Sequence, residues 1–201
     1  VGDDADLVKK KPVSANGGAI YVVGSAKISD GEFSGNQAVI NSVVSAGQTA
    51  RGGAIFNKGY MELERITFSN NQVSAENAYG GALYNDKADA NSNNDLLSKL
   101  KISDSSFSGN LVNAGKIGLG GAVYNNSVTE TIISNSSFTG NSITVDKDKK
   151  VISDPLQGFG GAVYNSGKIT ISANTSDVEI SNNTVSVKDE TANENARGGA
   201  L

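Results

Sequence analysis

The sequence predicts an all-β solenoid, and three observations carry that prediction. A double glycine followed by alanine and a branched aliphatic residue recurs six times in 201 residues. An element of the form Phe-x-x-Asn recurs between the glycines. Short alternating apolar and polar runs link the two, with no amphipathic helical period.

The glycine pairs start at Gly17, Gly52, Gly80, Gly120, Gly160 and Gly198, so the repeats begin near 17, 52, 80, 120, 160 and 198. Each pair precedes an aliphatic residue (Ile20, Ile55, Leu83, Val123, Val163), followed by Tyr or Phe. The second element is Phe33 to Asn36, Phe68 to Asn71, Phe107 to Asn110 and Phe138 to Asn141; in the fifth copy Ile180 stands in for Phe before Asn183. Between the elements lie runs such as Met61 to Arg65 and Ile169 to Ser172, and a third alternating run follows each Asn. Strands this short bury no core as separate hairpins. Stacked parallel, each pairs with its equivalent in the next copy and points alternate residues into a shared interior. The expected architecture is a right-handed parallel β-helix of about five rungs, read as one domain over 1–201. The shortest interval, 28 residues, leaves no room for two turns of a three-sided coil, so each repeat makes one rung.

Stacking gives each recurring residue a column. Gly17, Gly52, Gly80, Gly120 and Gly160 remove side chains where the backbone bends tightly and needs positive φ. The aliphatic residues point inward, and the aromatic ones after them take the opposite face. Phe33, Phe68, Phe107 and Phe138 supply apolar area. Asn36, Asn71, Asn110, Asn141 and Asn183 turn inward at a corner, where each amide serves turn backbone and the Asn above and below. The sequence stops at Leu201 inside a repeat with no capping helix, which reads as a fragment of a longer array. Open strand edges then imply end-to-end or homo-oligomeric contacts.

Composition narrows the chemistry. The net charge is −4, against the basic face that nucleic-acid binding needs. Lys9 to Lys11, Lys147, Lys149 and Lys150 read as solvated loop charges. There is no Cys, His or Trp. That removes disulfides, thiolate nucleophiles, and the commonest general base and transition-metal ligand. No apolar run is long enough for a membrane span, and no signal-peptide pattern opens the sequence.

The alternation of Gly-Gly-Ala-(Ile/Leu/Val) with Phe-x-x-Asn resembles the polymorphic outer membrane proteins of chlamydiae and related autotransporter passenger repeats. The resemblance runs from Gly17 over nearly the whole chain, departing at Ile180 and in the absence of cysteine. It implies a surface-displayed or secreted passenger, an outer-membrane or extracellular location, and a non-enzymatic part in adhesion to a host-cell receptor or glycan.

Two features bear on chemistry. Asp30, Arg65, Asp104, Asn135 and Asp177 recur three positions before the Phe column and line one edge. They read as turn residues tolerant of the left-handed region rather than as a cation or sugar site. In the insertion loop 85–99, Asp89, Asn91, Asn93 and Asp95 have calcium-loop spacing, but the twelfth position is Leu100 and lacks the bidentate carboxylate. Calcium is thus a weak candidate, and no other cofactor is expected. A second insertion loop spans 144–159, and recognition is expected on these loops. The rival readings are a polysaccharide lyase or glycosidase on the same fold, and a structural spacer or assembly module.

Overall fold

Apolar–polar alternation broken by glycine and asparagine gives each repeat three straight runs and three corners. The computed structural model describes residues 13–41, 47–86, 99–126, 130–146, 155–174, 177–188 and 194–200. These residues form parallel strands in three sheets, with no helix. The glycine wall holds Ile20–Val22, Ile55–Asn57, Leu83–Asn85, Val123–Asn125 and Val163–Asn165. The long wall holds Ser25–Ser34 and Tyr60–Ser69, then the split runs Lys99–Ser103 with Ser106–Ser108, Glu130–Ser134 with Ser137–Thr139, and Lys168–Ser172 with Ile180–Ser181. The third wall is built on Gln72–Tyr79 and Leu111–Leu119, flanked by shorter strands from the other coils.

Register fixes one repeat per coil. Ile20 pairs with Ile55, Ile55 with Leu83, Leu83 with Val123 and Val123 with Val163. Phe33, Phe68, Phe107, Phe138 and Ile180 pair in the same way along the long wall. The glycine wall is five strands deep, so the stack is a β-solenoid of four coil-to-coil steps.

The two glycines of each pair are needed for different reasons. The first of each pair has φ between 63° and 72°, and a Cβ on Gly52 would run into the Ile55 carbonyl oxygen of its own turn. The second has an ordinary φ but faces the next coil. A Cβ on Gly53 would collide with the Gly81 carbonyl, and one on Gly81 with that of Gly121. Alanine then fits the corner, with Ala54, Ala82, Ala122 and Ala162 fully buried. At the opposite corner, the residue before each ladder asparagine is Gly35, Asn70, Gly109, Gly140 or Asn182, all at φ between 53° and 65°. Gly and Asn are the residues that enter that region most cheaply.

The interior divides into two apolar clusters. One gathers the Phe column with Ile55, Leu63, Leu83, Ile102, Val123 and Ile133. The other joins Val73, Val112, Ile143 and Val145 to small residues of the third wall. Ala50, Ala78, Gly118 and Gly158 share one column there, and a Cβ on Gly118 would lie 2.6 Å from Ile143 Cγ2. Packing depth sets residue size at that column.

Asparagine binds the coils together. Asn71 Nδ2 donates to Asn110 Oδ1 at 2.9 Å and to the Phe33 carbonyl at 2.9 Å, while Asn71 N–H donates to the same Oδ1 at 3.1 Å. Asn110 and Asn141 repeat the pattern, ending on Asn183 Oδ1. Each buried amide thus has partners above and below.

Candidate functional site

The outer face of the long wall concentrates the charged side chains. Its outward residues stack in columns, so a charge on one coil meets the charge on the next about 4.8 Å away. Lys27 pairs in register with Glu62, and Glu62 with Lys101. The Glu62 carboxylate takes both ammonium groups, Lys27 at 3.6 Å and Lys101 at 3.0 Å, and also accepts the Tyr60 hydroxyl. In the neighbouring column Glu130 lies between Lys99 at 3.0 Å and Lys168 at 2.9 Å. The Tyr60 hydroxyl, then Lys101, hold the Glu62 carboxyl down at about 2. Lys168 and then Lys99 do the same for Glu130, also at about 2. Tyr60 and Glu62 in turn raise Lys101.

The wall bends at Asp30, Arg65, Asp104 and Asn135, whose φ values of 55°, 54°, 51° and 48° lie in the left-handed region. Arg65 reaches across to Asp30 through Nε at 2.6 Å and a second nitrogen at 2.8 Å, and also binds Glu64. That fork lowers the Asp30 pKa and raises that of Arg65. Asn135 Nδ2 donates to Asp104 at 3.1 Å. Beside the bend, Arg65, Thr67, Asp104, Ser106, Asn135 and Asp177 border a hollow of about 380 Å³. The sequence places Asp30, Arg65, Asp104, Asn135 and Asp177 along one edge, and the hollow joins all of them but Asp30. Buried serines brace it from behind: Ser105 Oγ accepts the Ile66 N–H at 3.0 Å and Ser136 Oγ accepts the Ser105 N–H at 3.1 Å.

Sequence reasoning missed one amide column on the glycine wall; the aromatic column beside it was expected on the face opposite the aliphatic residues. Asn57, Asn85, Asn125 and Asn165 form a second amide ladder, with side-chain bonds of 2.7, 2.8 and 2.6 Å. Its signal was the Asn after each Tyr or Phe, interrupted by Val22 in the first copy. Outside it, Tyr21, Phe56, Tyr84, Tyr124 and Tyr164 stack with centroids 4.7–5.2 Å apart. Tyr79 packs beside this column and Arg51 lies over Tyr84. Burial pushes the Tyr124 hydroxyl up to about 12 and raises that of Tyr84 further. Rings stacked face to face present edges, not faces, to solvent. The column is therefore a structural spine and a poor platform for stacking sugars.

Asp89, Asn91, Asn93 and Asp95 lie outside the described residues, as do 147–154 of the second loop. Their anchors are described. Both insertions are shorter than the expected 85–99 and 144–159, because Asn85 and Lys99 lie in strands, as do residues 144–146 and 156–159. The first loop leaves after Asp86 and returns at Lys99, at the corner between the glycine wall and the long wall; the second leaves after Asp146 and returns at Pro155, in the middle of the third wall. Among the described residues no group of three or more acidic side chains is placed to hold a metal. No helix among them is long and apolar enough to cross a membrane.

Two segments, residues 30–58 and 65–86, match the Chlamydia polymorphic membrane protein repeat and together make about a quarter of the chain. Each begins at the bend column, spans one Phe-x-x-Asn and one Gly-Gly-Ala, and ends just past the next glycine-wall strand. Neither the curated proteins nor the solved structures include a match to the chain.

Proposed function

From the polymorphic membrane protein repeat that these two segments carry, we propose that the chain is a non-enzymatic part of a passenger displayed at the bacterial outer membrane or cell surface. It acts as an adhesin or adhesin stalk, holding recognition segments away from the cell for contact with a host-cell receptor or glycan. One observation carries the reading: the matched repeat occupies the first coils, and the later coils reproduce its columns in register. The side-chain arrangement supports a stalk. Lys27, Lys99, Lys101 and Lys168 pair with glutamates on neighbouring coils, and inward amides close ladders along the stack, so reach and rigidity come without disulfides.

The test is binding of the purified chain to host cells, read by flow cytometry. Variants with 87–98 or 147–154 replaced by short Gly-Ser links are compared with the parent. Saturable binding that weakens when either segment is replaced is expected. A folded chain that binds no host cell would overturn adhesion and leave the spacer reading. Binding unchanged in both variants would move recognition to the outer walls.

A further inference from the structure

The residue before each glycine pair turns outward, and the fold does not dictate its type. That position holds Asn16, Arg51, Tyr79, Leu119, Phe159 and Arg197, paired coil to coil in one column. Asparagine at one end and two arginines show that the column accepts polar side chains. Three consecutive coils nevertheless carry Tyr79, Leu119 and Phe159, each only half-buried. Across the glycine corner these residues meet the aromatic column of the glycine wall. Tyr79 lies 5.4 Å from Tyr124 and Phe159 lies 6.5 Å from Tyr164, ring centre to ring centre. Tyr124 and Tyr164 are half-buried as well. The corner is therefore a continuous aromatic and aliphatic strip on the solvent side of the stack, where nothing in the core calls for one.

Arginine closes the strip at both ends. Arg51 lies over the Tyr84 ring at 5.7 Å, and Arg197 over the Phe159 ring at 5.9 Å. Arg51 also donates to Asn16 Oδ1 at 3.3 Å. Of the three arginines in the chain, Arg65 is paired with acids. Among the described residues no carboxylate forms an ion pair with Arg51 or Arg197. Glu76 and Asp86 act electrostatically on Tyr79 and Tyr84. Glu76 accepts the Gly47 N–H at 2.7 Å, and Asp86 accepts the Asn126 amide at 2.5 Å. Two guanidinium groups without an acid thus flank an apolar strip. Four coil-to-coil steps separate them, about 19 Å.

We propose that this corner docks an extended peptide segment of a partner protein, laid along the stack, with apolar side chains on the strip and a carboxylate at each end on Arg51 and Arg197. At about 3.3 Å per residue, 19 Å sets the two carboxylates six residues apart, with the two residues between them on the same face apolar. Tyrosine, phenylalanine and arginine together are the composition of protein-docking hot spots. A second copy of the chain does not fit the strip. A parallel two-fold sets Arg51 beside Arg51, and an antiparallel one sets Arg51 beside Arg197, so like charges meet either way. The proposal is independent of surface display and of host-cell binding.

The chain contains no tryptophan, so a tryptophan in a peptide reports binding cleanly. The probe is the capped peptide Glu-Ser-Leu-Ser-Trp-Ser-Glu, followed by fluorescence anisotropy as the 201-residue chain is added. Saturable binding with Kd below about 1 mM is expected. A peptide with lysine in place of both glutamates should bind at least about tenfold more weakly. On the protein side, Arg51→Gln with Arg197→Gln should weaken binding about tenfold. Leu119→Asn, which places in the column the residue type already present at its first position, should also weaken it about tenfold. Circular dichroism checks that both variants stay folded. Lys27→Gln with Lys188→Gln removes the same charge elsewhere and should leave binding unchanged. No binding at millimolar chain, or equal binding of the lysine peptide, would overturn the proposal. Binding indifferent to both strip variants would overturn it too. A heparin octasaccharide that competes fully and depends on the two arginines but not on Leu119 would assign the site to an anionic glycan instead.

Discussion

Replacing Asn110 with alanine strikes the first amide ladder at mid-stack. Asn110 is fully buried and its side chain makes four hydrogen bonds. Its Oδ1 accepts the Asn71 N–H at 3.1 Å and Asn71 Nδ2 at 2.9 Å. Its Nδ2 donates to Asn141 Oδ1 at 2.8 Å and the Phe68 carbonyl at 3.1 Å. The losses are unequal. Asn141 Oδ1 keeps the Asn110 N–H, and Asn71 Nδ2 keeps the Phe33 carbonyl, but the Asn71 N–H is left buried without an acceptor. At about 1–3 kcal/mol for the orphan and about 1 kcal/mol for each of the three other bonds, the cost is about 4–6 kcal/mol. Asn36 ends the same ladder, half-buried, and donates its amide only to Asn71 Oδ1, which keeps the Asn36 N–H. Asn36→Ala should therefore cost about 1 kcal/mol or less. Urea unfolding of the two variants beside the parent measures both. Equal losses would refute the view that the ladder works as a chain of mutually satisfied buried amides.

Other perturbations follow from the same geometry. Thr131 is fully buried among apolar residues and its hydroxyl has no partner, so Thr131→Val should raise stability by about 1 kcal/mol in urea unfolding. Gly81→Ala drives a Cβ into the backbone of the next coil and should cost about 3 kcal/mol or more, seen as loss of the cooperative thermal transition. Glu62 and Glu130 have folded pKa values depressed to about 2 from 4.5. Their stabilising contribution is present above pH 4.5 and lost as pH falls toward 2. The double variant Glu62→Gln with Glu130→Gln should flatten the dependence of Tm on pH across that window.

What the sequence revealed depended on whether a column repeats one residue type. The glycine pairs and the Phe and Asn of the second element recur at fixed offsets, so their stacking was legible before any coordinates. The left-handed turn at Asp30, Arg65, Asp104 and Asn135 was legible from Asp and Asn, although Arg65 is there for its fork on Asp30. The second amide ladder was hidden because Val22 breaks it in the first copy. The Lys–Glu–Lys ladders were hidden for a different reason. Their columns mix Lys, Glu, Ser, Thr, Tyr and Ile, and only register shows that Lys99 lies between coils beside Glu130. The small-residue column through Gly118 and Gly158 depends on how deeply Ile143 and Val185 reach inward, which no local pattern encodes.

Disulfide trapping in this cysteine-free chain reads coil-on-coil register most directly. Ser106 and Ser137 are outward partners on adjacent coils, separated by 31 positions. Strand spacing of about 4.8 Å puts their Cα atoms within disulfide range. Under mild oxidation Ser106→Cys with Ser137→Cys should form an intramolecular disulfide, while Ser106→Cys with Thr139→Cys, shifted by two residues, should not. Equal trapping of both pairs, or trapping of the shifted pair alone, would contradict a stack in which like residues lie over like.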